Sequence, residues 1–85
     1  MPEISRFFGI VIRMYLREHG PPHFHAVYGE YKARVELESG LVHGELPPRA
    51  LRLVLDWAYL HQQELVENWQ RARAGNPPRR IAPLE

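Results

Sequence analysis

Eighty-five residues suffice for one domain, and a chain this short buries only a little over ~60% of its unfolded surface, so its stability is modest. A hydrophobic content of 45% with 25% charged residues is ordinary globular composition and excludes a disordered or repetitive chain. The net charge of +1 provides no global pull toward nucleic acid or membrane, and the absence of cysteine excludes disulfides, thiolate ligands and cysteine nucleophiles.

From Phe7 to Arg17 the apolar residues alternate, with Phe8, Ile10, Ile12, Met14 and Leu16 pointing one way. Period two predicts a long, half-buried first strand. Glu18-His19-Gly20-Pro21-Pro22 breaks it, because prolines cannot donate to a ladder and glycine permits the turn. The chain re-enters as a strand near His23. Tyr28-Gly29-Glu30-Tyr31 then places glycine first in a two-residue loop, the requirement of a type II′ hairpin. That turn pairs Phe24 with Val35, Ala26 with Ala33 and Tyr28 with Tyr31 on one face, and His23 with Glu36, His25 with Arg34 and Val27 with Lys32 on the other. If Ser39-Gly40 closes a second tight turn, Leu37 pairs with Val42 and Glu36 with His43.

Pro47-Pro48 predicts a helix start and Gly75-Asn76-Pro77 a stop. Between them Leu51, Val54, Leu55, Ala58, Leu65, Trp69 and Ala72 recur at helical spacing. Leu53, Trp57 and Leu60 add a second apolar edge, wider than one sheet needs. Such an edge arises when a helix sinks deeply or breaks near His61, or when another chain covers it. The proline-rich tail cannot be helical, but its Ile81 and Leu84 can dock as an extended segment while Arg79 and Arg80 stay solvated or touch phosphate.

These elements predict an α+β domain: a small antiparallel meander of three to four strands, near 7–17, 23–28, 31–38 and 41–46, with one long C-terminal amphipathic helix on one face. The expected layout is sheet over 1–46, helix over 47–75 and extended tail over 76–85. No apolar run is long enough to span a bilayer, and a Pro2-Glu3 start lacks a signal peptide's basic region, so a cytosolic location is expected.

His19-x-x-x-His23-x-His25 is the one dense chemical cluster. A His-x-His pair on a strand puts two imidazoles on one face, a geometry that zinc sites can use. The proposed register adds a row of His23, Glu36 and His43, two imidazoles and a carboxylate, with His25 or His19 as further groups. No cofactor is otherwise expected; a metal, if held, is zinc or another divalent transition metal. Against it stand Arg34 beside His25, which repels a dication, and a plain hydrogen-bonded polar face. Ser5 and Ser39 are the only serines and neither lies in a nucleophile elbow, so acyl transfer is excluded in practice. No phosphate loop or dinucleotide fingerprint is present. Arg13, Arg17, Lys32 and Arg34 share the open face with Phe7, Val11 and Tyr15, a pattern that can take single-stranded nucleic acid, though Glu36, Glu38 and Glu45 interrupt it.

The opening Met1-Pro-Glu-Ile-Ser-Arg-Phe-Phe-Gly-Ile-Val-Ile, the block Pro21-Pro-His-Phe-His-Ala, the Leu46-Pro-Pro-Arg-Ala-Leu junction and Glu67-Asn-Trp resemble the small bacterial proteins grouped as domain of unknown function 4160. The resemblance implies a bacterial cytosolic protein, often encoded beside a second small protein in an arrangement similar to toxin–antitoxin pairs. It implies no activity and assigns no catalytic residue. Three functions stay open. The first is a non-enzymatic interaction module acting with another small protein or with itself, through Leu53, Trp57, Leu60 and the basic residues. The others are a metal-dependent hydrolase or nuclease on the histidine face, and a nucleic-acid binder without metal.

Overall fold

The computed structural model describes residues 2–85; Met1, the first position of the expected sheet region, lies outside them. Five strands, β1 (Glu3–Phe7), β2 (Ile10–Arg13), β3 (His23–Tyr28), β4 (Tyr31–Glu36) and β5 (Val42–Gly44), form one antiparallel meander in chain order. Two helices, α1 (Pro48–Leu60) and α2 (Gln62–Arg73), follow.

The expected long strand over 7–17 is instead the second half of a hairpin. An eleven-residue strand would span about 33–34 Å, the whole of the molecule's longest dimension of 33 Å. The chain folds back at Phe8-Gly9, both with positive φ (49° and 79°), as a type I′ two-residue loop demands. Phe7 and Ile10 thereby pair across the turn. Phe8 is left exposed, while Ile4, Phe7, Ile10, Ile12 and Met14 are buried. The sheet therefore has one strand more than the four expected at most.

The β3–β4 hairpin has the register its Gly29-Glu30 turn predicts, Phe24 opposite Val35 and His25 opposite Arg34. The next connection differs. Val42 pairs with Val35 and His43 with Arg34, two residues from the expected register, because a wider loop closes through Glu36 N–H to Leu41 O and Gly40 N–H to Glu36 O. A shift of two preserves which face each side chain takes. Gly44 is indispensable here: at φ 106°, a Cβ would lie 2.5 Å from Lys32 O.

The expected single long helix is two helices, broken at His61 as one of the alternatives for its wide apolar edge had it. His61 leaves the helical region (φ −120°, ψ 28°), with its N–H shared between Trp57 O and Ala58 O and its Nδ1 2.6 Å from Glu64 Oε1. The break lets each half aim its own stripe at the sheet. Ala50, Val54 and Trp57 enter from α1, and Leu65, Asn68, Trp69 and Ala72 from α2. Trp57 packs against Phe7 and Phe24 at ring distances of 5.5 and 5.7 Å. Pro48 opens α1, and Gly75 (φ 86°) ends α2, with Asn76 N–H reaching back to Arg71 O as a left-handed cap allows.

The tail docks as an extended strap over β1 and the helices. Ile81 N–H donates to Ile4 O, Trp57 Nε1–H to Ala82 O, and the Asn68 amide pairs with both the N–H and the C=O of Arg79. Among the described residues no helix is long and apolar enough to cross a membrane.

Candidate metal centre

The helices cover one face of the sheet and leave the other open, carrying Val11, Arg13, His25, Val27, Lys32, Arg34 and His43. At the end of this face, the loop between β2 and β3 folds over the first residues of β3. Three contacts pin the loop: Arg17 N–H to Ala72 O at the end of α2, Leu37 N–H to Pro22 O, and His23 Nδ1 to Pro21 O at 2.7 Å. Arg17 has a left-handed φ of 54°, a strained conformation for a residue with a side chain. That turn delivers the next residue, Glu18, onto the two histidines of the strand.

Glu18 Oε1 lies 3.1 Å from His23 Nε2 and 3.0 Å from His25 Nε2; its Oε2 is also 3.0 Å from His25 Nε2. The three donor atoms all lie within 4.8 Å of one another, the only such group of three among the described residues. Burial alone would push the Glu18 carboxyl up, but the hydrogen bonds of His25 and the nearness of both imidazoles outweigh it and hold it below the ordinary carboxylate range. Trp69 stacks obliquely on His23 with ring centres 5.0 Å apart, and Tyr15 sets its edge against His25 at 4.7 Å. Both rings are thus held in orientation.

His23 carries the chemical signal. Its side chain is 3% exposed, and a carbonyl oxygen cannot donate, so Nδ1 must carry the proton given to Pro21 O. In a neutral His23, Nε2 then offers a lone pair 3.1 Å from a carboxylate oxygen, out of line for a hydrogen bond, and has no hydrogen-bond partner. Two acceptors in contact at a buried position need a cation between them, a second proton on His23 or a metal ion. An imidazole whose far nitrogen donates to a backbone carbonyl is the usual state of a metal ligand.

The expected row of His23, Glu36 and His43 is divided. His23 and Glu36 are register partners, yet His23 serves Glu18, while Glu36 takes His43 Nε2 at 2.6 Å and the Ser39 hydroxyl at 2.9 Å. Those two hydrogen bonds lower the Glu36 carboxyl below its ordinary range, with Arg34's charge adding to them. His25 belongs to the centre and His19 lies exposed outside it. The carboxylate that completes the centre, Glu18, was not expected. It sits in an aperiodic loop, and its only sequence signal is position, five residues before His23-x-His25.

The predicted interaction residues also divide. Trp57 is wholly buried within the chain, so it is core and not a docking surface. Leu53 is half-buried against the core, and Leu60 is 65% exposed. Arg13, Lys32 and Arg34 lie on the open face, whereas Arg17 turns toward Gly75.

The family model described as Domain of unknown function (DUF4160) matches residues 9–70, which include Glu18, His23 and His25, and the chain belongs to that family. No curated protein and no solved structure matches it.

Proposed function

We propose that this domain binds a divalent transition metal, zinc being the best match, through Glu18, His23 and His25, and leaves one coordination position for water or substrate, as metal-dependent hydrolases do. The observation that carries this reading is the buried Nε2 of His23, which lies 3.1 Å from Glu18 Oε1 but out of line for a hydrogen bond to it, and has no other partner. Zinc at its usual distances to nitrogen and oxygen sets neighbouring ligand atoms about 3.3 Å apart in a tetrahedron. The contacts of Glu18 with His23 and His25, 3.1 and 3.0 Å, are close to that edge. Glu18 and His25 keep 29% and 24% of their side chains exposed, which gives the fourth position access to solvent.

Calorimetric titration with zinc, backed by elemental analysis, tests it. One saturable site per chain is expected, weakened at least tenfold in Glu18→Gln, His23→Gln and His25→Ala and retained in His19→Ala and His43→Ala. No saturable binding by the wild type, or equal binding by every variant, leaves a proton as the cation between His23 and Glu18 and overturns the reading.

A second reading, an interaction module for another small protein or a second copy of this chain, is supported by a groove of about 480 Å³ where α1 meets α2. Leu37, Leu55, Tyr59 and Val66 line it, beside Glu36 and Glu38. Tyr59 is 75% exposed, and an open apolar edge of this kind favours cover. Sedimentation of the wild type and of Tyr59→Glu tests self-association: a concentration-dependent dimer abolished by the substitution is expected, and a monomer at all concentrations refutes that form of the reading.

A further inference from the structure

The centre of the open face is a row that runs across four strands. Arg13 pairs with His25, His25 with Arg34, and Arg34 with His43. Two guanidinium groups thus flank one histidine from adjacent strands, and their backbones stand about 10 Å apart, twice the spacing of neighbouring strands. Like charges on one face repel, weakly at this separation in water, and a carboxylate between them would offset the repulsion. The face's carboxylates are engaged elsewhere. Glu3 is held by Arg6 and Arg80, Glu18 by the histidines, and Glu36 by His43 and Ser39. Glu45, just past β5, is exposed and donates its N–H to Lys32 O. Among the described residues, no ion pair within 4 Å involves Arg13, Lys32 or Arg34.

Between these side chains lies a hollow of about 260 Å³ lined by Arg13, Tyr15, His25, Lys32, Arg34 and His43. Its volume takes a phosphate group with part of what it is attached to. His25 belongs to both the hollow and the metal centre, so an anion seated there lies beside the metal position.

We infer that this hollow binds the phosphate group of a phosphoester, with Arg13 and Arg34 as its two clamps and one phosphate oxygen directed to the metal position. The planar guanidinium fork matches phosphate oxygens in pairs. Lys32 adds a point charge at the rim. The binding follows from the arginine row alone; the role of the phosphoester as substrate rests on the metal reading.

Metal-free protein titrated with 4-nitrophenyl phosphate and with bis(4-nitrophenyl) phosphate, followed by amide and imidazole NMR shifts, tests the inference. Saturable shifts are expected at Arg13, His25 and Arg34, with the dissociation constant raised about tenfold or more in Arg13→Gln and in Arg34→Gln. Arg52→Gln, the same charge change on an exposed position of α1, is expected to leave it unchanged. The tighter of the two probes identifies the source as a monoester or as a diester of the kind found in nucleic acid. No saturable shift, an equal loss in Arg52→Gln, or binding indifferent to both groove arginines overturns the inference, whether or not zinc binds. Zinc titration failing while these probes bind removes the metal reading and the substrate role, and leaves a phosphate-binding face.

Discussion

Replacing Asn68 by alanine tests what holds the tail and, through it, α2. Asn68 is 2% exposed and uses both halves of its amide: Nδ2–H donates to Arg79 O and Oδ1 accepts from Arg79 N–H, each at 2.8 Å. One side chain thus imitates a strand neighbour for a segment whose prolines cannot complete a ladder. Each bond contributes about 1 kcal/mol net, and Arg79 lies where water can reach it, so removing both should cost about 2 kcal/mol. A domain of 85 residues has a total stability of about 4–13 kcal/mol, and the loss should lower the melting temperature by about 8–16 °C. Thermal unfolding measures the total; hydrogen exchange locates it, since the Ile81 amide bonded to Ile4 O should lose protection before the sheet does. Asn68→Asp keeps the acceptor for Arg79 N–H but sets a buried carboxylate oxygen against Arg79 O, so it should cost at least as much as alanine. A melting temperature within about 2 °C of wild type, or unchanged exchange at Ile81, refutes the reasoning.

Gly44→Ala should cost about 3 kcal/mol, because φ 106° is closed to side chains and the new Cβ meets the Lys32 carbonyl; urea unfolding reads the total, and loss of exchange protection at Glu45 N–H reads its place. Glu3 has its carboxyl lowered from 4.5 to about 2 by the hydrogen bonds of Arg6 and Arg80. A depressed carboxyl stabilises the folded state above its unfolded value and loses that contribution as pH falls through the folded one. Stability should therefore decline between pH 4.5 and 2, and Glu3→Gln should flatten that decline in urea titrations taken at each pH. Zinc affinity should fall as pH drops below about 6.5, where protons compete for the imidazoles; calorimetry giving a flat profile from pH 7.5 to 5.5 would contradict ligation by histidine.

The β3–β4 hairpin was legible in the sequence because its determinants are local: glycine in a two-residue turn sets the pairing, and period two then assigns His25 and Arg34 to the open face. The ends of the helical region were legible for the same reason, since Pro48 and Gly75 act on the backbone where they stand. The hairpin at Phe8-Gly9 was not, because alternation reads alike in one long strand and in the arm of a hairpin, and only the size of the core forces the chain back. The break at His61 carries no glycine or proline; its one sequence signal was the surplus apolar edge, because two apolar stripes cannot both meet a twisted sheet along one straight axis. The candidate site divides along the same line. His23 and His25 belong to a strand and could be read from spacing, whereas Glu18 reaches them from a loop whose course depends on Ala72, Pro21 and Leu37, residues distant in sequence or defined only by the closed fold. Local backbone chemistry determined which side chains share a face; packing of the loop against the end of α2 decided which carboxylate those histidines meet.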